Sequence, residues 1–334
     1  MAPNPTLLSA ALNRGHAYKD NVSAADAGQW LSHFYARRYT HSSHGEWRRR
    51  IAAGEIYRNG QRLWADAHVC TSDRLIWQRP PWQEAAVPAL PGPLFDDGDL
   101  LVYNKPSGLQ VLPAGGFKEH TVLHQLESQV QAGWLDARAG VPRPVHRLGR
   151  HTSGLLVCAR QSTRRAWLSA RLRESTAQPL HSSCQKIYRA LLQPLPEALL
   201  PRLQAGQQLA ISTEIGRRSH PRLGWIWSAA TADQAGGCMD AVSAMSTLTL
   251  VERRSHGDLV EVAIASGRPH QIRIHAAALG APLVGDPLYR PGGLARDDAL
   301  PGDGGYFLHA HRLSIAQPNG ERLQLEAPLP DALL

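Results

Sequence analysis

Between residues 24 and 58 the apolar side chains recur with helical spacing. Trp30, Leu31, Phe34 and Tyr35 fall at i, i+1, i+4 and i+5, which places them on one face. A second helical stretch runs from Glu46 to Ala53 and carries Arg48, Arg49 and Arg50. It stops at Gly54, a residue suited to the left-handed position after a helix. Glu55 to Arg58 then reads as a strand, Asn59-Gly60 as a two-residue hairpin turn, and Arg74 to Trp77 as another strand. Pro80, Pro81, Pro88, Pro91 and Pro93 crowd the next stretch, and proline lacks the backbone donor that a central strand or helix interior needs. The pattern predicts a loose polar tail over residues 1–20 and a small domain over 20–80. A proline-rich linker over 81–95 and a larger domain over 96–334 follow.

In the larger part, short β-type runs alternate irregularly with helices. Strands are expected at Leu100–Tyr103, Leu155–Ala159, Ile187–Leu192, Ser246–Glu252 and Leu259–Ile264, and helices over 121–131, 162–174 and 269–279. Strands outnumber helices and do not follow a βαβ repeat. The expected class is therefore α+β with a mostly antiparallel or mixed central sheet and flanking helices. Residues 212–240 lack clear periodicity and read as a surface insertion. Leu7 to Leu12 is apolar but interrupted by Ser9 and preceded by no basic residue, which argues against a leader peptide.

Composition narrows the function classes. The chain has 334 residues, 43% of them hydrophobic and 19% charged, as in a globular protein rather than a disordered one. No apolar run reaches the roughly 18 residues that a bilayer span requires. Cys70, Cys158, Cys184 and Cys238 form no paired spacing and read as reduced thiols of a cytoplasmic protein. The net charge is +8, and of 36 basic residues only Lys19, Lys105, Lys118 and Lys186 are lysines. Arginine grips phosphate with two prongs and stacks on bases, so the charge leans toward nucleic acid; GC-rich codon usage would produce the same excess. His41 and His44, or His270 and His275, have no thiolate or carboxylate at ligand spacing, so no metal is assigned.

Three segments carry candidate chemistry. The loop His146-Arg147-Leu148-Gly149-Arg150-His151 runs straight into an apolar strand, a place where binding groups tend to sit; an exposed basic turn would look the same. Lys186-Ile187-Tyr188 sets Tyr188 on the face of Lys186 and Ala190, where its ring could stack on a base or simply pack. Gly267-Arg268-Pro269-His270-Gln271-Ile272-Arg273 opens a helix. Its apolar stripe Ile272, Ala276 and Leu279 brings Arg273 to the core edge, where a guanidinium needs an anionic partner or must snorkel.

Together these segments resemble the RluA-type RNA pseudouridine synthases, whose motifs read H-R-L-D-x-x-T-S-G-L, K-x-Y-x-A-L and G-R-[TS]-H-Q-[IL]-R-x-H. Asn104–Leu109, Leu279–Tyr289 and Leu308–Ala310 extend the likeness over about residues 99–326. Residues 20–80 resemble, more weakly, the small helical-hairpin RNA-binding domain named for ribosomal small-subunit protein four, through Trp47 to Gly60.

The resemblance implies the pseudouridine synthase fold and a cofactor-free, metal-free isomerase of structured rRNA or tRNA; a monomer is the default expectation. A uridine is flipped out, its N1–C1′ bond broken, and the base rejoined through C5. Tyr188 and Arg273 are carried over as catalytic positions. Arg147 is carried over as the residue that fills the gap left by the flipped base. His146, Arg150, Lys186, Arg268, His270, Gln271, Arg48, Arg49 and Arg50 are expected at the RNA. The family's catalytic aspartate falls on Gly149, which can neither attack a sugar nor take a proton. The alternative is therefore an RNA-binding pseudoenzyme with a cationic pocket beside Arg273. A glycine here also allows a positive φ and an altered loop.

Overall fold

The computed structural model describes residues 7–177, 184–203, 207–230, 238–264, 266–317 and 320–334. They form two compact units, one of residues 10–84 with the segment 219–225, the other of the remainder.

The smaller unit holds strand β1 (His16–Asn21), helices α1 (Leu31–Arg38) and α2 (His44–Ala52), and strands β2 (Ile56–Arg58), β3 (Gln61–Arg62) and β4 (Arg74–Arg79). The sheet order is β1-β4-β2-β3, antiparallel throughout. Ser43 caps α2 in a reciprocal box with Glu46. Asn59 and Gly60 both take positive φ, as a tight hairpin turn demands. The core packs Leu31, Phe34, Tyr35, Trp47, Ile51, Ile56, Leu75 and Trp77, with the Tyr35 and Trp47 rings stacked at 4.6 Å. Trp30, expected on the apolar face, instead precedes α1, is 43% exposed and stacks on His68.

The larger unit is built on a ten-stranded sheet. Its members are β5 (Pro93–Asp96), β6 (Leu100–Lys105), β7 (Arg143–Pro144), β8 (Thr152–Ala159), β9 (Cys184–Leu192) and β10 (Gln208–Ile211). They continue with β11 (Ser246–Arg254), β12 (Gly257–Ile264), β13 (Leu308–Ala316) and β14 (Arg322–Glu326). The order is β10-β11-β12-β9-β13-β8-β6-β5, with β7 on β8 and β14 on β13. Only β8 and β13 run parallel; every other pair among the described residues of this sheet is antiparallel, so the α+β expectation holds. Helices α3 (Val122–Gln131), α4 (Ser162–Ala177) and α5 (Gln271–Ala278) flank it.

The parallel pairing brings two backbones unusually close. Gly154, at φ +100°, has no room for a Cβ, which would stand 2.7 Å from the Ala310 nitrogen and nearer still to its carbonyl oxygen.

Three expectations need correction. The N-terminal segment is not a loose tail from residue 7 onward: Leu7–Leu8 pairs with Val87–Pro88, Ala11–Leu12 with Gln83–Glu84, and β1 belongs to the small sheet. The proline-rich linker supplies the partners of the first two pairs, since proline is tolerated at strand edges. The stretch over 212–240 folds Ile215–His220, Gly224–Ala229 and Met239–Val242 into a three-stranded sheet; residues 231–237 lie outside the described residues. Helix α5 starts after Pro269, because His270 sits at φ +56° and holds the left-handed entry to it.

Candidate active site

The three motif segments converge where β8, β9, β12 and β13 meet the start of α5. Thr152 pairs with Leu308 across the parallel seam, and Tyr188 lies opposite Ala310 and Val262. A cavity of about 110 Å³ opens there, lined by Arg147, Leu148, Gly149, Thr152, Tyr188, Arg268, His270, Arg273 and Tyr306 among others. A second cavity of about 650 Å³ shares Arg147, Tyr188, Ile264 and Arg268 with it and adds His146, Arg173, Lys186 and Arg312. Arg147, Tyr188 and Arg273, brought together by motif alone, thus face one space. Among the described residues, no carboxylate lines either cavity.

Arg273 is buried, and its anionic partner is Asp286. The guanidinium donates from Nε to Oδ2 and from Nη2 to Oδ1, both at 2.7 Å, and from Nη1 to the Pro301 carbonyl at 3.1 Å. The carboxylate also accepts the Leu288 amide. Asp286 therefore fills the place beside Arg273 that the pseudoenzyme alternative reserved for phosphate. The guanidinium also lies 4.2 Å from the Tyr306 ring and 5.1 Å from the Tyr289 ring.

Gly149 does not use the positive φ that a glycine allows. What the position lacks is room. A Cβ there would lie 2.4 Å from the Tyr306 hydroxyl and 3.2 Å from Thr152 Oγ1. Tyr306 is 2% exposed, and its hydroxyl meets Thr152 Oγ1 at 3.3 Å.

Several expected RNA ligands are committed within the protein. Gln271 spends its whole amide: Oε1 accepts from Ser266 Oγ and the Arg268 amide, and Nε2 donates to the Met245 carbonyl and Ser246 Oγ. His146 Nε2 accepts the Val157 amide at 3.0 Å, which ties the motif loop to β8. Burial, with Lys186 nearby, pushes its pKa down to about 4. His270 bonds the Tyr289 hydroxyl at 2.7 Å, and burial, with Arg273 and Arg147, lowers its pKa to about 3. Arg150 donates to the Gly108 carbonyl and covers the Phe117 ring. Lys186 donates to the Leu172 carbonyl, and burial lowers its pKa. Arg268 is half-buried and reaches the Ser243 carbonyl, whereas Arg147 is exposed. In the small unit Arg48 and Arg49 are exposed, but Arg50 is half-buried over Trp47 and Trp77.

The sequence pattern assigned no role to three further groups. Lys105, within the Asn104–Leu109 motif, is fully buried; Nζ donates to the carbonyls of Pro106, Leu109 and Arg150 and so anchors the motif loop. Asp286 lies within the Leu279–Tyr289 motif, where nothing local marks it as the partner of Arg273. Tyr306 carries no local signal, since its partners Gly149 and Thr152 lie more than 150 residues away in the chain. Among the described residues no three acidic, histidine or cysteine side chains are placed to share a metal, and no helix is long and apolar enough to cross a membrane.

The family model described as RNA pseudouridylate synthase matches residues 99–278, the segment that holds the loop, Tyr188 and Arg273. The chain belongs to that family. A Synechocystis protein named as an uncharacterized RNA pseudouridine synthase is 38% identical over 90% of this chain and 94% of its own length. RNA pseudouridine synthase 5 of Oryza sativa subsp. japonica is 36% identical over 96% of this chain and 88% of its own. The solved structure of human RNA pseudouridylate synthase domain containing 4 shares the fold, with a TM-score of 0.54 at 22% identity, over 72% of this chain and 90% of that one.

Proposed function

We propose that the protein is an RNA pseudouridine synthase that isomerises a uridine in structured rRNA or tRNA, acting in the cytoplasm as a monomer. The observation that carries this reading is the convergence of Arg147, Tyr188 and Arg273 on one ring-sized cavity. Such a pocket suits a base taken out of its stack, because the reacting atoms are inaccessible inside a helix.

In this reading Tyr188 stacks on the extruded uracil. Its ring is held between two core clusters, and burial pushes its hydroxyl up to about 12, so it serves as a neutral platform. Exposed Arg147 takes the space that the base vacates. Arg268, with Arg173 along the larger cavity, steers the adjoining phosphates. Arg273, held by Asp286, forms the fixed floor of the pocket. His146, His270, Gln271 and Arg150 act one step back, shaping the loop and the start of α5. The small unit adds phosphate contacts through Arg48 and Arg49.

The test is a modification map. Total RNA from cells that lack the protein is incubated with the purified chain, and pseudouridines are located by carbodiimide labelling and primer extension. New stops at one or a few uridines are expected. An unchanged map across rRNA and tRNA would overturn the proposal.

A further inference from the structure

We propose that Tyr306 supplies the reacting oxygen that the missing carboxylate would otherwise provide. This rests on the pseudouridine synthase reading and adds to it the identity of the nucleophile.

The geometry starts from Gly149. By ordinary bond lengths an aspartate's carboxylate oxygens lie about 2.4 Å from their own Cβ. The Tyr306 hydroxyl oxygen lies 2.4 Å from the Cβ position of Gly149. A phenolic oxygen therefore stands within the reach of a side chain that the glycine does not have. The glycine is required in turn, because any Cβ would collide with that oxygen. Tyr306 faces the cavity that holds Arg147, Tyr188 and Arg273, whereas Asp286 is paired and does not line it.

The surroundings suit a phenol that must carry negative charge for a moment. The Arg273 guanidinium stands 4.2 Å from the ring centroid, and Thr152 Oγ1 is 3.3 Å from the oxygen. Tyrosine hydroxyls are competent nucleophiles at glycosidic carbons. The steps balance without a co-reactant. The phenolic oxygen bonds to C1′ as the C1′–N1 bond breaks, and the phenolic proton passes to N1 of the departing uracil. After the base turns, C5 bonds to C1′ and the C1′–O bond breaks. The proton on C5 then returns to the phenolate, which restores the tyrosine and leaves the carbon-linked nucleoside.

The experiment compares wild type, Tyr306→Phe, Gly149→Asp and the double variant on an RNA that wild type modifies. Tyr306→Phe should lower the single-turnover rate about 1,000-fold while RNA affinity stays within about threefold. Gly149→Asp alone should be inactive, because its Cβ meets the hydroxyl. Adding Tyr306→Phe to it removes that oxygen and should restore activity at least about tenfold above Tyr306→Phe alone. Rapid quenching of wild type should trap a nucleotide on the peptide that contains Tyr306, seen by mass spectrometry. If Tyr306→Phe fails to fold, 3,5-difluorotyrosine at this position keeps the shape and should move the pH–rate profile to lower pH. Full activity of Tyr306→Phe, or an unmoved profile with the fluorinated residue, overturns the assignment while the function stands. A wild type that modifies no RNA defeats the function itself and this inference with it.

Discussion

Arg273 and Asp286 meet as a two-pronged ion pair, with Nε–Oδ2 and Nη2–Oδ1 both at 2.7 Å and with 3% and 0% of the two side chains exposed. The pair links α5 to the loop after it and fixes the guanidinium beneath the Tyr306 ring. Two buried charges that satisfy each other do not by themselves raise stability, but stranding one of them costs heavily. Asp286→Ala should therefore lower unfolding free energy by about 3–5 kcal/mol. A double variant with leucine at both positions should recover most of that loss. Urea denaturation of wild type, Arg273→Leu, Asp286→Leu and the double leucine variant checks it, and additive losses would show that the two residues do not act as a pair.

The seam between β8 and β13 is the second sensitive point. Gly154→Ala places a methyl group against the Ala310 backbone at a φ that β-carbons rarely accept. Backbone cannot rotate away as a side chain can, so the two strands must part. The expected cost is about 3 kcal/mol or more, since overpacking and a forbidden dihedral add. Thermal melting measures it, and a midpoint unchanged from wild type would contradict the close approach.

Acid stability has a defined window. Burial lowers the pKa of His146 to about 4, of His270 to about 3 and of His309 to about 4, against roughly 6.5 for histidine in an unfolded chain. Lys186 adds to this at His146, and Arg273 and Arg147 add at His270. The folded pKa values lie below the unfolded one, so the unfolded chain binds more protons as the pH falls. Stability from these groups is present above about pH 6.5 and is lost progressively toward pH 4. Most of that window lies above the usual carboxylate range. Unfolding free energy should fall from about pH 7 to about pH 5, and His146→Gln should flatten the slope. An identical slope in that variant would mean that His146 is not held neutral.

Local pattern exposed the parts of the fold that rest on local physics. The body of helix α2 is legible from Glu46 onward with Gly54 after its end, although the helix begins two residues earlier behind the Ser43 cap, and β8 is legible through the run from Leu155 to Ala159. The two-residue strands at Leu7–Leu8 and Ala11–Leu12 are too short to show alternation, so the segment reads as a tail. Sheet order depends on pairings made far apart in sequence, and the parallel seam leaves only Gly154 as its local trace. At the site, motif brought Arg147, Tyr188 and Arg273 together, and the need of Arg273 for an anion was legible from its place beside an apolar stripe. That the anion is Asp286, 13 residues on in an irregular loop, was not. Tyr306 was invisible for the same reason: a hydroxyl that fills the space of an absent side chain has no counterpart in a linear pattern.

The arginine run on α2 gives the last prediction. Arg48 and Arg49 are exposed, whereas Arg50 donates to Ser42 Oγ at 2.9 Å and lies 4.5 Å from the Trp47 ring and 4.9 Å from the Trp77 ring. Three adjacent arginines in one sequence run thus divide into two kinds. A free guanidinium that meets a phosphate releases condensed counterions, so its removal weakens binding and makes it less salt-dependent. The paired variant Arg48→Ala and Arg49→Ala should lower RNA affinity with little change in melting temperature. It should also reduce the slope of log affinity against log salt by about 1 for each phosphate no longer neutralised. Arg50→Ala should act the other way round. It removes a cation from two indole faces and uncovers the core, at about 1–2 kcal/mol in stability, and it should leave the salt slope near that of wild type. Filter binding over a series of salt concentrations, read beside thermal melts, separates the two kinds. Equal changes in slope for Arg48→Ala, Arg49→Ala and Arg50→Ala would mean that the buried arginine reaches RNA as well.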